Sequence, residues 1–328
     1  MARDPLSTRL CRLLGITYPI VQAGMGEIAR AELAAAVSNA GGLGVIGAAY
    51  FAPEDLRAEI RRVRALTDRP FGVNLLLWRR PDGSGFTEWV EAQLDVVFSE
   101  RPPVLTTGLG NPGPAVVERA HALGMRVISL VGNVRSAVRV EQAGVDAVVA
   151  QGTEAGGHNS RVATMPLVPR VVDAVRVPVI AAGGIADGRG LVAALALGAS
   201  GVLCGTVFVA SEEAHAHVNY KRKIVEIDEE GTAVSRALSG KPARLIKNRW
   251  LEPFLEHPET VLPFPEQWER TKAERAVEKA RVEGRVEEGP LPAGQVSGLI
   301  DRVRPAGEIV ANMVAEARQV LEHGLYSR

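Results

Sequence analysis

The sequence predicts an α/β protein: a TIM (β/α)8 barrel with an additional, mainly helical C-terminal segment. Three observations carry that prediction. Short apolar runs rich in β-branched residues alternate with helical patterns, the rhythm of parallel strands joined by crossover helices. Eight such units are complete by about residue 225, which suits a closed barrel better than an open doubly wound sheet. From Tyr220 to Pro290 the chain then changes character, with dense charge, several prolines and few long apolar runs.

The strands are expected at Ile20–Ala23, Leu43–Ala48, Phe71–Leu76, Val104–Thr107, Arg126–Leu130, Ala147–Ala150, Val179–Ala182 and Gly201–Cys204. Between the first two lies an alanine-rich helix, Ala31–Ala40, stopped by Gly41 and Gly42. The run Gly42-Leu43-Gly44-Val45-Ile46-Gly47 has dinucleotide-loop spacing. Such a loop must follow a strand and open a helix, and here the order is reversed, so a Rossmann reading is set aside. Leu191 to Ala210 carries no charge and is long enough to cross a bilayer. Gly198, Ser200, Gly201 and Gly205 divide it into a barrel helix and the following buried strand. Within the charged segment, Ala273, Ala276, Val277 and Ala280 recur at helical spacing, with Arg275 placed to pair with Glu278, which predicts one amphipathic surface helix. Ile309–Leu325 reads as a helix returning to the barrel. The expected organisation is a barrel over residues 1–219, an accessory segment over 220–290 that either covers the barrel or forms a lid over its mouth, and a C-terminal helix over 291–328.

Composition narrows the function. Thirty-eight basic residues balance thirty-eight acidic ones, so a broad electrostatic footprint for nucleic acid or an anionic membrane is missing and a small substrate is expected. Two cysteines, Cys11 and Cys204, exclude a disulfide framework and a cysteine zinc cluster. Together with an N-terminus that lacks the apolar stretch of a signal peptide, they point to the cytoplasm. Cys204 sits in an apolar run and reads as core. His215-Ala216-His217 lacks the carboxylates or cysteines that would complete a metal set, and no metal is expected.

Two motifs carry chemistry. Gln151-Gly152-Thr153-Glu154-Ala155-Gly156-Gly157-His158 follows a barrel strand and sets one imidazole beside two glycines, where a flat ligand can approach the backbone. Ala181-Ala182-Gly183-Gly184-Ile185-Ala186-Asp187-Gly188 ends the next strand in two glycines. With Gly205-Thr206 after the last strand, it offers the amides and hydroxyl of a phosphate cradle.

With Tyr18-Pro19-Ile20-Val21-Gln22-Ala23-Gly24-Met25, Ala40–Gly44, Phe71–Leu75 and Ala293–Leu299, these motifs make the chain resemble the FMN-dependent nitronate monooxygenases and the related FMN-dependent enoyl-acyl-carrier-protein reductases. The resemblance covers nearly the whole chain. It implies one FMN at the C-terminal mouth of the barrel, its phosphate on Gly183, Gly184, Gly205 and Thr206. The isoalloxazine would lie along Ala23, Gly24, Met25 and Asn74, with Gln151 and Gly157 on the other side. His158 is the expected catalytic residue, either removing the α-proton of a nitroalkane or orienting a nitronate; in a reductase it would bind the thioester and supply a proton.

The expected activity is oxidation of alkyl nitronates, such as propionate 3-nitronate, with O2 to a carbonyl compound and nitrite. The alternative is an NADH- or NADPH-dependent reductase of enoyl chains on acyl-carrier protein or coenzyme A. Val104–Pro112 and Arg244–Asn248 resemble the reductase branch, and Leu130 stands about where many nitronate enzymes have a lysine. A non-catalytic flavin-binding protein is the third reading. Gly/Ala-rich barrel helices leave a homodimer open.

Overall fold

A computed structural model describes residues 4–80 and 82–323. Eight parallel strands lie in the order β1 (Ile20–Gln22), β9 (Gly201–Cys204), β8 (Val179–Ala182), β6 (Ala147–Gln151), β5 (Arg126–Val131), β4 (Val104–Gly108), β3 (Phe71–Leu76) and β2 (Gly44–Gly47). All eight fall within a residue or two of the predicted positions. The ends of this sheet meet at β1 and β2, through a bridge between Val21 and Leu43. The Leu43 amide donates to the Ile20 carbonyl and the Gln22 amide to the Leu43 carbonyl, both at 2.9 Å. The fully buried Gln22 side chain extends the seam: its Oε1 accepts from the Val45 amide at 2.9 Å and its Nε2 donates to the Val45 carbonyl at 3.2 Å. A side-chain amide thus supplies the two bonds that a longer strand would have made.

Strand residues alternate between two cores. Val21, Val45, Val104, Ile128, Val149, Ile180 and Leu203 fill the interior with Leu10 and Leu14 of α1 (Arg9–Leu14). Their neighbours Ile20, Ile46, Leu105, Val127, Val148, Ala181 and Val202 pack outward. Because both sets are buried, the strands read as continuous apolar runs although the side chains alternate. The outer helices are α2 (Ala31–Asn39), α3 (Pro53–Leu66), α4 (Glu88–Glu100), α5 (Gly113–Ala122), α6 (Val134–Gln142), α7 (Thr164–Val172) and α8 (Gly188–Ala196). The uncharged stretch 191–210 therefore spans the end of α8, β9 and a short helix, α9 (Thr206–Val209). Among the described residues no helix is long and apolar enough to cross a membrane.

After α10 (Val218–Glu226) the accessory segment adds two features to the mainly helical expectation. It contains β10 (Thr232–Ser235) and β11 (Ala243–Ile246), an antiparallel pair, and β11 also pairs with β7 (Gly157–His158) through Ala243 opposite His158 and Arg244 opposite Gly157. The two strands are four residues each, too short to declare themselves by alternation. The single amphipathic helix expected across Ala273–Ala280 is broken into α12 (Glu266–Ala273) and α13 (Ala276–Arg281), following α11 (Glu252–Glu256). Arg275 takes φ +53, which reverses the chain so that Trp268 and Thr271 bury on one side of the break and Ala276 and Ala280 on the other. The expected Arg275–Glu278 ion pair is present at 2.7 Å. Leu238, Ala243, Leu245, Leu251 and Trp268 form a small core that packs on Tyr50 and Trp78 of the barrel loops. The last helix, α14 (Ala306–His323), returns to the barrel against α8 and α2; its expected end at Leu325 lies outside the described residues.

Candidate active site

The C-terminal ends of the strands open into a cavity of about 660 Å³, the size of a cofactor-plus-substrate site. All eleven residues singled out from the sequence line it: Ala23, Gly24, Met25, Asn74, Gln151, Gly157, His158, Gly183, Gly184, Gly205 and Thr206. They come from five barrel strand ends and the two-residue strand β7, and the barrel closure brings them to one place.

On the barrel side the wall is largely backbone. Gly183 and Gly184 take φ +94 and +73, a region costly for any side-chain-bearing residue, so the chain turns out of β8 with its amides turned away from helical pairing. Among the described residues, the amides of Gly183, Gly184, Gly205 and Thr206 donate to no protein acceptor. The Thr206 hydroxyl accepts from the Gly294 amide at 2.9 Å and keeps its own proton for another partner. Four unpaired amides and a hydroxyl at two adjacent strand ends fit a phosphate. Across the cavity, Asn74 is held by a 2.9 Å bond from its Nδ2 to Thr106 Oγ1. A Cβ on Gly24 would fall 2.3 Å from the Asn74 Cβ, so this strand end comes close only because residue 24 has no side chain.

His158 is held from both sides. Its carbonyl accepts from Gln151 Nε2 at 2.8 Å, and its ring Nε2 lies 2.7 Å from Ser239 Oγ. The β7–β11 pairing fixes the backbone beneath it, and Arg244 ties the loop down by donating from Nε to the Thr153 carbonyl at 2.9 Å. Burial pushes the imidazole down to about 4, and the positive charges of Lys241 and Arg281 push in the same direction. At neutral pH the ring is uncharged in an electropositive corner. Glu154, beside it in sequence, serves the scaffold: its carboxylate accepts from the Thr164 amide at 3.0 Å and from the Thr164 hydroxyl at 2.9 Å, where α7 starts.

Sequence reading missed Ser239, Lys241 and Arg281, together with an aromatic group in which Trp78 packs edge-on against Phe264 and Trp268 at centroid distances of 6.1 and 6.0 Å. These positions lie in loops and short helices whose charged, proline-rich composition gives no periodic signal, and Trp78 lies just past the end of β3. The late Ala293-Gly294-Gln295 stretch does return to the site, the Gln295 amide donating to the Glu154 carbonyl at 3.0 Å. Cys204 is buried and its thiol is pushed up to about 12, in keeping with a core residue. His217 Nδ1 accepts from the Asn219 amide at the start of α10, and among the described residues no group of three or more His, Cys, Asp or Glu could hold a metal.

A barrel mouth with unpaired amides on one wall and a histidine on the other suits a phosphate-bearing cofactor beside a small substrate, and the family of the chain makes it an oxidoreductase. The chain belongs to the nitronate monooxygenase family, whose sequence profile matches residues 7–316. A probable nitronate monooxygenase of Staphylococcus saprophyticus is 36% identical over 354 aligned positions, covering 96% of this chain and 99% of its own. Among solved structures, FabK from Thermotoga maritima superposes with a TM-score of 0.88 at 41% identity over 98% of both chains. A nitroalkane oxidase from Streptomyces ansochromogenes gives 0.84 at 34% identity, over 95% of this chain and 99% of its own.

Proposed function

We propose that the protein is an FMN-dependent nitronate monooxygenase that converts alkyl nitronates and O2 into a carbonyl compound and nitrite. The observation that carries this reading is the chemistry of the second wall: an uncharged imidazole, partly buried, with Lys241 and Arg281 near enough to lower its proton affinity. An enclosed, electropositive corner favours a small anion, and a nitronate is one. FMN fits the cavity by the unpaired amides of Gly183, Gly184, Gly205 and Thr206, which suit its phosphate, while Gly24 at the end of β1 and Gly157 in β7 line the cavity where a flat ring would lie. When bound, FMN would supply the electron-accepting group of the reaction.

The chain's own residues would then bind and orient. Lys241 and Arg281 attract the anion, and His158 fixes its oxygen by a hydrogen bond. Leu130, Leu238, Phe264 and Trp268 line the same cavity and exclude water from it. With a proton affinity this low, His158 is a poor base for a carbon acid, so of the two roles expected for it, orientation of a nitronate is favoured over deprotonation of a nitroalkane.

A second reading, reduction of an enoyl thioester by NADH or NADPH, draws on the 41% identity to FabK and on the reductase-like segments Val104–Pro112 and Arg244–Asn248. The two separate in one assay of the purified flavoprotein. O2 uptake with propionate 3-nitronate, matched by nitrite release and needing no nicotinamide, supports the monooxygenase. Nicotinamide oxidation that depends on an enoyl thioester, with no nitrite formed from the nitronate, overturns it.

A further inference from the structure

We infer that Ser239 is a positioning residue that locks His158 into the tautomer carrying its proton on Nδ1, so that the ring offers the cavity a hydrogen-bond donor and not a lone pair. The inference rests on His158 being the substrate-facing group, as proposed above, but not on which substrate is turned over.

Ser239 is 2% exposed and its hydroxyl has one proton to donate and two lone pairs. One lone pair faces the Lys241 amide, which donates to Oγ at 3.4 Å. The only hydrogen-bond acceptor near the hydroxyl proton, among the described residues, is His158 Nε2 at 2.7 Å. If Nε2 carried the ring proton, it would donate to Oγ, and the serine proton would be left buried without an acceptor. If Nε2 is bare, the serine donates to it and every polar atom of Ser239 is satisfied. Buried polar groups are paired in the great majority of cases, and the second arrangement obeys that rule. The ring proton is then on Nδ1, the nitrogen for which no protein partner exists among the described residues.

The surroundings support the same assignment. Burial first, and the charges of Lys241 and Arg281 after it, keep the ring from taking a second proton, so it stays a neutral donor. A donor in an electropositive corner is matched to an anionic oxygen, or to a carbonyl oxygen gaining charge. It is mismatched to a C–H proton, because no lone pair on the ring is open to receive it. A ring that only donates suits a substrate oxygen that already carries charge, as that of the nitronate proposed above does. The device that enforces this comes from the accessory segment, 81 residues further along the chain than the histidine.

The test is two-dimensional 15N–1H NMR of the holoprotein labelled at its histidine ring nitrogens, with the His158 signals assigned by their loss in His158→Asn. The expected pattern shows the proton on Nδ1 and a hydrogen-bonded, unprotonated Nε2. Ser239→Ala should give a mixture of tautomers and Ser239→Thr should restore the single form. Turnover of whichever substrate the enzyme accepts should fall by about tenfold or more in Ser239→Ala and recover in Ser239→Thr, as for loss of one directed hydrogen bond. A His158 ring protonated on Nε2 in the unaltered protein overturns the inference. So does an unchanged tautomer in a folded Ser239→Ala protein. The NMR readout needs no substrate, so failure of the nitronate assignment would appear separately, as absence of nitrite release with the tautomer intact.

Discussion

The two walls of the cavity are built on opposite principles. The barrel wall is made of backbone, with glycines at strand ends, amides left unpaired by the turn out of β8 and β9, and side chains such as Asn74 that mainly fix one strand end against the next. The accessory wall is made of side chains, with Ser239, Lys241, Phe264, Trp268 and Arg281 projecting from loops and short helices. His158 sits between them, on a strand of two residues that leaves the barrel and joins the accessory sheet. The difference teaches a division of labour. Backbone groups at strand ends are fixed by the fold itself and do not depend on which side chain a position carries. Side chains on irregular segments set the charge around His158 and lower its proton affinity.

The sharpest way to break this division is at the residue that joins the walls. His158→Ala should cost about 10²- to 10³-fold in turnover while leaving flavin absorbance unchanged, measured by nitrite release and by the visible spectrum of the same sample. Unchanged turnover would remove His158 from the site. A smaller effect of the opposite kind is expected on the barrel wall. Gly183→Ala forces a side chain into φ +94, with its Cβ 3.0 Å from Thr164 Oγ1 and 3.1 Å from the Ala155 amide. Strain of about 1–3 kcal/mol should appear as flavin affinity weakened by about tenfold, read by fluorescence on dilution, with turnover per bound flavin largely retained. If both substitutions disturbed turnover and flavin binding equally, the two walls would not be separable.

The comparison can be sharpened by pH. In the unfolded chain His158 titrates near its ordinary 6.5, and in the folded protein it is pushed down to about 4. Between these values the unfolded chain binds a proton that the folded one refuses, so stability is complete above pH 6.5 and falls as the pH is lowered toward 4. Denaturant melts of the unaltered protein and His158→Asn should diverge across that window, the unaltered protein losing on the order of 2 kcal/mol more, with partial exposure of the ring taken into account. Lys241→Met should narrow the gap. Parallel pH dependence in the two proteins would mean that the accessory wall leaves the imidazole unperturbed.

The barrel was legible in the sequence because its strands are largely buried on both faces and therefore appear as eight short, mainly apolar runs. The glycine pair after β8 marked a turn, and Gly183 and Gly184 do take the positive φ that such a turn needs. Ser239 and Lys241 were not legible. They lie in Leu238–Pro242, between two four-residue strands in a segment where charge is dense for reasons of solvation, and nothing local distinguishes a serine that meets a histidine from one that meets water. The break at Arg275 was hidden for a related reason: a helical spacing of alanines persists across a residue whose left-handed φ reverses the chain. Long-range pairing made these features, and short-range pattern does not encode it.

The smallest effect is expected at Cys204, a residue that touches both the barrel core and the cavity. Its thiol is desolvated by burial and pushed up to about 12, so at pH 7 it is held as the neutral thiol. The side chain fills volume at the end of β9. Cys204→Ala should therefore cost about 1 kcal/mol in stability through the small void it leaves. Turnover should stay within about twofold of the unaltered protein, a change worth less than half a kcal/mol. Iodoacetamide at neutral pH gives the complementary measurement: the folded enzyme should keep its activity, because Cys11 is buried as well. Inactivation that tracks alkylation of Cys204 would place a reactive side chain on the barrel wall and end the separation between a wall of backbone and a wall of chemistry.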